Sequence, residues 1–321
     1  MKFVSAFAGI GGFDLGFERS GMTLTHQIEW DTACQTILKH HYPHADLMGD
    51  ISGVTGSEVG RPDLFTGGFP CQDTSIAAPH RSGLAGRRSG HFFEFSRLVD
   101  ETARILDRSQ PRWVVIENPT GLLKSNGGRD MATVARTLEE LGYGWAYRVV
   151  DGRHLGTPQR RTRVLVVGHR GGDPRPAWQV LGDGDRRGEV DSPSRVGRRP
   201  LGLAPAGGSA FDAVWRKSAR ARAALSKGGY ETWVSDGKAN TLTGFDGGGP
   251  ARQTHLIAQG GRLRTLTLRE WERLQGFPDD WTEGVPPSAR YTAIGNAMHV
   301  GMAEWLGHRL MTVDATTKEA S

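Results

Sequence analysis

Short apolar runs alternate with amphipathic stretches through the first half of the chain. The apolar runs are typical of β-strands and comprise MKFVSAF, LTHQIEW, PDLFTGG, RWVVIEN, YRVVD and RVLVVGHR. The stretches between them carry apolar residues at helical spacing and comprise FDLGFERSG, DTACQTILKHHY, FFEFSRLVDETARILDRS and MATVARTLEELG. Strands and helices in alternation predict an α/β fold with a mostly parallel sheet covered on both faces. Ligands of such sheets usually bind beyond the carboxyl ends of the strands.

The pattern changes after Gly171. Between residues 171 and 200, 16 of the 30 residues are Gly, Pro or Arg, and no periodicity survives. This composition predicts a linker or a part of a second domain with little regular structure. Further on, VWRKSARARAALSKGG predicts a cationic helix that ends at Gly228. Regular patterning returns at TLTLREWERLQGF, and HVGMAEWLGHRL predicts a final amphipathic helix.

The chain of 321 residues carries 40 Lys and Arg against 35 Asp and Glu, a formal net charge of +5. This balance favours a polyanionic partner. Two cysteines cannot form a disulfide framework and are too few for a typical structural zinc site, so we expect a reducing compartment and no metal. The apolar stretch after Lys2 runs only from Phe3 to Ser5, shorter than an export signal, and no apolar run is long enough to cross a bilayer. These features predict a cytoplasmic protein without a membrane partner.

The loop after the first predicted strand is rich in glycine, with Gly9, Gly11 and Gly12 leading into the first helix. Exposed amides and the positive end of the helix dipole favour a cofactor with polar or charged groups at such a turn. The loop is not the dinucleotide fingerprint, because Asp14 stands where a third glycine is expected. By itself, the loop is explained equally well by a tight turn between a strand and a helix.

Acidic residues follow the next two strands. Glu29 comes at the end of the second strand, where a carboxylate can accept hydrogen bonds from both hydroxyls of a ribose. Trp30 beside it can pack on a purine, and Asp50 in the next loop can accept from an exocyclic amine. Each of these acids alone is more often a surface residue than a ligand. In succession, they indicate an adenosine pocket.

The loop that follows the predicted strand PDLFTGG has the sequence GGFPCQDTS and places Cys71 directly after a proline. A free cysteine is ordinarily a buried structural residue, but the neighbours here are turn-forming and polar. Glu117 follows the next buried strand, where it can stay protonated, share a proton with a bound base or pair with an arginine. Gln159, Arg161 and Arg163 alternate, so we expect their side chains to share one face. That pattern is typical of a solvated strand edge, but here the segment leads toward the edge of the sheet at which Cys71 and Glu117 are expected.

Eight motifs in order resemble the C5-cytosine DNA methyltransferase family. They are FAGIGG, EW, GDI, GGFPCQ, IENP, PQRRTR, TLTLREWERLQGFPDDW and AIGNAM. The resemblance implies a Rossmann-like S-adenosylmethionine-dependent methyltransferase fold on a mixed, mostly parallel sheet, with the catalytic domain at residues 1–170 and 286–321. It also implies a small, irregular target-recognition domain at residues 171–285, with double-stranded DNA in the cleft between the two.

The resemblance assigns roles to individual residues. Its catalytic residues are Cys71, Glu117, Arg161 and Arg163. Its contacts to S-adenosylmethionine, and to the product S-adenosylhomocysteine, are Phe7, Gly9, Gly11, Glu29, Trp30, Asp50, Ile51, Phe69 and Asn296. Its DNA contacts are Gln72, Ser75, Arg81, Arg87, Arg88, Gln159, Thr241 and Leu242.

The family mechanism that the resemblance implies begins with a target cytosine rotated out of the duplex. The Cys71 thiolate adds to C6 and Glu117 stabilises the protonated N3, so that C5 attacks the methyl group of the cofactor. The resemblance further implies that the protein works as a monomer, and it leaves open whether a cognate restriction endonuclease acts as a separate partner or the protein acts alone.

Three positions depart from the family pattern, since Ser5 replaces an acid, Pro119 a common valine and Ala77 a small hydroxyl residue. None of these changes removes a reacting group. A catalytically altered or inactive DNA-binding paralogue stays open, because the basic balance allows it. A nicotinamide-dependent oxidoreductase explains neither the Pro-Cys turn nor the arginine-rich insertion, and Asn296 disfavours transfer of another one-carbon group.

Overall fold

The computed structural model describes residues 1–69, 90–107, 109–182, 213–217, 233–235, 239, 241–242 and 255–319. The main sheet is built from β1 (Lys2–Ala6), β2 (Thr23–Ile28), β3 (Asp46–Met48), β4 (Leu64–Gly67), β5 (Trp113–Pro119), β6 (Tyr143–Asp151) and β7 (Thr162–Arg170). The strand order is β3-β2-β1-β4-β5-β7-β6. Strands β1 to β5 pair in parallel, and β7 is antiparallel to both β5 and β6. The predicted mixed, mostly parallel sheet is confirmed.

The helices of the described ranges are α1 (Gly12–Arg19), α2 (Thr32–His41), α3 (His91–Ile105), α4 (Arg129–Glu140), α5 (Arg175–Leu181), α6 (Leu268–Gln275), α7 (Pro287–Asn296) and α8 (Val300–Glu319). Within those ranges, no helix has the length and apolar character that a membrane span requires. The bounds of α6 follow from local chemistry. Thr267 and Glu270 form a capping box at its start, and Gly276 ends it with a φ of 86°.

Helices cover both faces of the main sheet, and the strands alternate between the two cores. Phe3 of β1 packs with α1, α2 and α8, whereas its neighbour Val4 packs with α3 and α4. In β5, Trp113 belongs to the first core and Val114 to the second. Successive side chains of a strand point to opposite faces, so a fully buried parallel strand needs apolar residues at consecutive positions. This requirement explains the unbroken apolar runs in the sequence.

The C-terminal helix α8 packs on the first helix of the chain. A Cβ added at Gly16 of α1 would collide with the Cβ of Ala303, so the two helix backbones approach closely. At the far end of α8, Asp314 accepts a hydrogen bond from Trp113 Nε1 at 2.9 Å and forms an ion pair with Arg112 at 3.0 Å. These contacts fix α8 to the beginning of β5.

A second, antiparallel sheet lies in the C-terminal half. Its strands are β8 (Ala213–Lys217), β9 (Trp233–Ser235), β10 (His255–Gln259) and β11 (Arg262–Arg264), in the order β11-β10-β8-β9. The predicted cationic helix is therefore wrong over residues 214–217, which form most of β8. Valine and tryptophan at positions 214 and 215 favour a strand, and pairing of β8 with β10 overrides the helical spacing. Residues 218–228 of that prediction lie outside the described residues.

Candidate active site

The glycine turn between β1 and α1 forms one wall of a cavity at the carboxyl edge of the sheet. Phe7, Gly9 and Gly11 have φ angles of 54°, 58° and 85°, in the left-handed region that glycine tolerates best. Gly11 has no room for a side chain, because a Cβ there would lie 2.7 Å from the Tyr42 ring. Helix α1 begins without a side-chain cap, so the amides of its first turn are available to a ligand.

Glu29 lies directly after β2 and is held by backbone amides. Its Oε2 accepts from Gly9 N at 2.7 Å, and its Oε1 accepts from Asp31 N at 2.8 Å. Burial raises the pKa of Glu29, while these two hydrogen bonds oppose that shift. Each carboxylate oxygen has a second acceptor position. Glu29 can therefore accept two further hydrogen bonds from the hydroxyls of a ribose.

The cavity beside Glu29 has a volume of about 190 Å³. It is lined by Phe7, Ile28, Glu29, Trp30, Gly49, Asp50, Ile51 and His91. The Trp30 side chain is 67% exposed at the mouth, and Ile51 is buried. Flat apolar walls with one anchored carboxylate suit the adenosine part of a nucleoside cofactor.

Asp50 supplies a second acid to this cavity. Its Oδ1 accepts from the backbone N and the Oγ of Ser52, each at 2.9 Å. These hydrogen bonds, the one from the amide first, lower the pKa of Asp50 and keep it ionised. An ionised acceptor at this position matches the exocyclic amine of adenine.

The structure brings five of the nine predicted cofactor residues to the cavity: Phe7, Glu29, Trp30, Asp50 and Ile51. The other four do not line the cavity. Gly9 and Gly11 form the turn itself, and Phe69 is buried with its ring 5.4 Å from that of Phe92. Asn296 is the exposed last residue of α7.

Glu117 lies near the end of β5, opposite the end of β4. Its Oε1 forms an ion pair with Arg163 Nε at 2.6 Å, and both side chains are only 11% exposed. A Cβ added at Gly68 would lie 3.0 Å from Glu117 Oε2, so the carboxylate rests directly against the chain that leaves β4. Glu117 is therefore enclosed between Arg163 on one side and the chain at Gly68 on the other.

The chain after Gly68 leads from this carboxylate to the predicted nucleophile. Asn118 Nδ2 donates to Phe69 O at 3.4 Å, which ties the end of β5 to the same segment. Cys71 lies three residues beyond Gly68, and a chain of that length spans at most about 11 Å. Cys71 itself is outside the described residues, as are the predicted DNA contacts Gln72, Ser75, Arg81, Arg87 and Arg88.

The second cysteine of the chain has the opposite environment. Cys34 is buried in α2, and burial raises the pKa of its thiol. Nearby Glu29 and Asp31 raise the pKa further. Since the thiolate is the nucleophilic form, Cys34 is inert.

The two predicted arginines have different partners. Arg163 contacts Glu117, whereas Arg161 is 1% exposed and donates to backbone carbonyls at residues 242, 295 and 297. Strand β7 begins at Thr162, so Gln159 and Arg161 belong to the segment that precedes it. Gln159 is buried and pairs through its backbone with Ala239.

The predicted DNA contacts Thr241 and Leu242 lie beside this segment. Thr241 Oγ1 donates to Arg160 O at 2.5 Å, and the Leu242 side chain is fully buried in the core. Leu242 therefore anchors this part of the chain in the core, whereas the Thr241 side chain is only half-buried.

Sequence reasoning missed three residues of the cavity: Ile28, Gly49 and His91. His91 is the first residue of α3, and its ring lies 5.7 Å from that of Phe7. The sequence gives one weak signal for it, a polar residue between Gly90 and the apolar spacing of α3. Its place in the cavity depends on how α3 packs against β3 and the glycine turn, which local sequence does not specify.

The chain matches known proteins over most of its length. The family model of the C-5 cytosine-specific DNA methylases matches residues 1–181 and 215–312. Type II methyltransferase M2.BsuMI of Bacillus subtilis (strain 168) is 30% identical over 97% of this chain and 75% of its own length. Type II methyltransferase M.HpaII of Haemophilus parainfluenzae is 28% identical over 96% of this chain and 88% of its own length.

Solved structures share the fold. The S. pombe Dnmt2 methyltransferase superposes with a TM-score of 0.67 at 17% identity, covering 97% of this chain and 98% of that one. A putative DNA modification methyltransferase of an E. coli prophage gives a TM-score of 0.65 at 18% identity, covering 98% and 99%. The resemblance seen in the sequence motifs is confirmed: the chain belongs to the C-5 cytosine-specific DNA methylase family and is a DNA (cytosine-5-)-methyltransferase.

Proposed function

We propose that this enzyme methylates C5 of a cytosine rotated out of double-stranded DNA, through a covalent bond between Cys71 and C6 of the base. The observation that supports this most directly is the position of Glu117. Its carboxylate is buried, ion-paired with Arg163 and in contact with Gly68, three residues before Cys71. A base bound against this carboxylate lies within reach of the cysteine.

The cavity beside the glycine turn holds the methyl donor in this proposal. Glu29 binds the ribose hydroxyls, Asp50 the exocyclic amine and Trp30 the purine face. When bound, S-adenosylmethionine supplies the electrophilic methyl group of its sulfonium. The uncapped first turn of α1 faces the rest of that cofactor and stabilises its carboxylate.

Cys71 makes the base reactive. Its thiol adds across the ring, with sulfur bonding to C6 and the proton going to N3, which leaves an electron-rich double bond between C4 and C5. Glu117, held by Arg163, accepts the hydrogen bond from N3–H and so stabilises the adduct. C5 would then take the methyl group as the bond between the methyl carbon and the sulfonium sulfur breaks, and neutral S-adenosylhomocysteine would be the leaving group. A base acting through a bound water removes the C5 proton, the N3 proton is also lost, and the aromatic ring is restored as the C6–S bond breaks and the thiolate leaves.

Base rotation is required because neither face of C6 is accessible within a duplex. Unpairing and unstacking cost a few kcal/mol, which contacts to the backbone and the extruded base must supply. In this proposal the basic residues Arg81, Arg87 and Arg88 bind phosphates, and Thr241 faces the DNA. We propose further that this enzyme works as a monomer and that a cognate endonuclease acts separately from it; the resemblance to type II methyltransferases supports only the second of these.

The first experiment identifies the product and the target site. The chain is expressed in a bacterial strain that lacks 5-methylcytosine, and genomic DNA is sequenced after bisulfite treatment. We expect protected cytosines in one short sequence context. Absence of protected cytosines from cells that contain folded protein would favour an inactive DNA-binding paralogue instead.

The second experiment tests the covalent step. A duplex carrying 5-fluorocytosine in the identified site is incubated with S-adenosylmethionine, because fluorine cannot leave C5 as a proton and the adduct persists. We expect a complex that survives denaturing gels with the native chain and with the matched control Cys34→Ala, and none with Cys71→Ser. Equal trapping by Cys71→Ser would refute the proposed nucleophile.

A further inference from the structure

Arg161 is the most completely enclosed arginine near the site. Its side chain is 1% exposed, and its guanidinium faces three backbone carbonyls. Nη1 donates to Leu242 O at 3.4 Å and to Gly295 O at 3.3 Å, and Nη2 donates to Ala297 O at 2.5 Å. Carbonyl dipoles of this kind stabilise a buried cation.

Two of these carbonyls flank Asn296. Gly295 and Ala297 are both buried, while Asn296 between them is exposed. Just before them, Gln275 Nε2 donates to Ile294 O at 2.8 Å. The backbone on both sides of Asn296 is therefore held by buried side chains, and only the asparagine is presented outward.

The segment around Asn296 packs against the cofactor turn. A Cβ added at Gly12 would collide with the carbonyl of Met298, so the backbone two residues after Asn296 touches the start of α1. This contact places Asn296 near the uncapped end of α1, away from the cavity that suits adenosine. An amide side chain there can both donate to a carboxylate and accept from an ammonium group.

We propose, on the basis of the function proposed above, that Arg161 is a positioning residue that fixes Asn296 for the amino-acid end of the cofactor. Of the two arginines, Arg163 is the one that forms an ion pair with Glu117. Arg163 therefore serves the target base, and Arg161 serves the cofactor. Lysine keeps the charge at position 161 but cannot reproduce the planar fork that reaches three carbonyls on two segments of the chain.

The test is calorimetric binding of S-adenosylhomocysteine in the absence of DNA. We expect Arg161→Lys and Asn296→Ala each to weaken binding about tenfold, the loss expected for one or two hydrogen bonds. The double variant should bind no more weakly than Asn296→Ala alone, because Arg161 acts through that residue. Arg170→Lys is the matched control, because Arg170 also donates to two backbone carbonyls, at residues 111 and 141, but lies outside the site; it should keep the native affinity.

Two outcomes would overturn the proposal. Native affinity in Arg161→Lys, with loss confined to methyl transfer, would show that Arg161 serves the target base. Full additivity of Arg161→Lys and Asn296→Ala would show that the arginine does not act through the asparagine. If Arg161→Lys does not fold, Gln275→Met releases the neighbouring carbonyl of Ile294, and the same non-additivity with Asn296→Ala is expected.

These binding measurements on the single and double variants contain no DNA, so their outcome is separable from the proposed function. Failure of the native chain to trap 5-fluorocytosine would refute the covalent mechanism, but the binding measurements would still test the positioning role of Arg161. Native-like binding by both Arg161→Lys and Gln275→Met would refute the positioning role and leave the covalent mechanism intact.

Discussion

Gly68→Ala tests the placement of Glu117 without changing any charged group. The added Cβ would lie 3.0 Å from Glu117 Oε2, a few tenths of an ångström closer than an ordinary carbon–oxygen contact. The carboxylate cannot retreat freely, because its Oε1 is already 2.6 Å from Arg163 Nε. The expected result is a displacement of about 0.4 Å, taken from the difference between 3.0 Å and ordinary contact distance.

The kinetic consequence follows from the cost of misplacement. An error of about 1 Å at a reacting group costs about 100-fold in rate, so about 0.4 Å should cost about fivefold to tenfold. We expect this loss in the single-turnover rate of methyl transfer, measured with radiolabelled S-adenosylmethionine. Binding of S-adenosylhomocysteine should not change, since Gly68 does not line the cavity.

Two controls isolate the effect. Gly53→Ala adds the same methyl group where nothing lies within 4 Å, and it should retain the native rate. In a Glu117→Gln background, Gly68→Ala should cost less than in the native chain, because the group that it displaces is already impaired. A native single-turnover rate in Gly68→Ala would refute the inferred contact between Glu117 and the segment that leads to Cys71.

Three further predictions concern the cofactor cavity and stability. Trp30→Ala should weaken binding of S-adenosylhomocysteine about tenfold and abolish the quenching of tryptophan fluorescence by this ligand. The control Trp178→Ala, on α5, should do neither, and equal effects of the two variants would contradict a stacking role for Trp30. Burial raises the pKa of Asp14 to about 7, so its contribution to the unfolding free energy is present at pH 4 and lost as the pH rises toward 7. Urea titrations should show this slope, up to about 1.4 kcal/mol per pH unit, in the native chain, and an unchanged slope in Asp14→Asn would contradict it. Glu272→Gln should lower the unfolding free energy by about 3 kcal/mol, because the buried carboxylate accepts from two backbone amides and pairs with Arg290. A melting temperature within about 2 °C of the native value, the shift expected of a surface substitution, would disprove this.

The sequence predicted those parts of the fold that depend on local pattern. Consecutive apolar residues such as Val114 and Val115 indicated strands buried on both faces, and the two cores confirm that interpretation. Residues 214–217 of β8 were predicted as part of a helix because they run directly into the basic stretch at residues 218–228. Pairing with β10, which is distant in sequence, decided the outcome.

The same limit applies to the site. Residues that follow strands, such as Glu29 and Asp50, could be placed at one edge because parallel strands bring their carboxyl ends together. Arg161 and Arg163 could not be distinguished, since both alternate along one stretch and only tertiary packing gives the first to carbonyls and the second to Glu117. His91 could not be found, because the cavity that it lines is closed by a helix from another part of the chain.

The short pairing of Ala239 with residues 158–160 bears on how the predicted target-recognition region can be exchanged between enzymes. Ala239 N donates to Pro158 O at 2.8 Å, and Arg160 N donates to Ala239 O at 2.9 Å, so Ala239 is docked through main-chain bonds that do not depend on its side chain. The buried Leu242 side chain is the part that a foreign module must match. Grafts that change the methylated sequence should therefore keep residues 239–242 from the host and join the new module on either side of them.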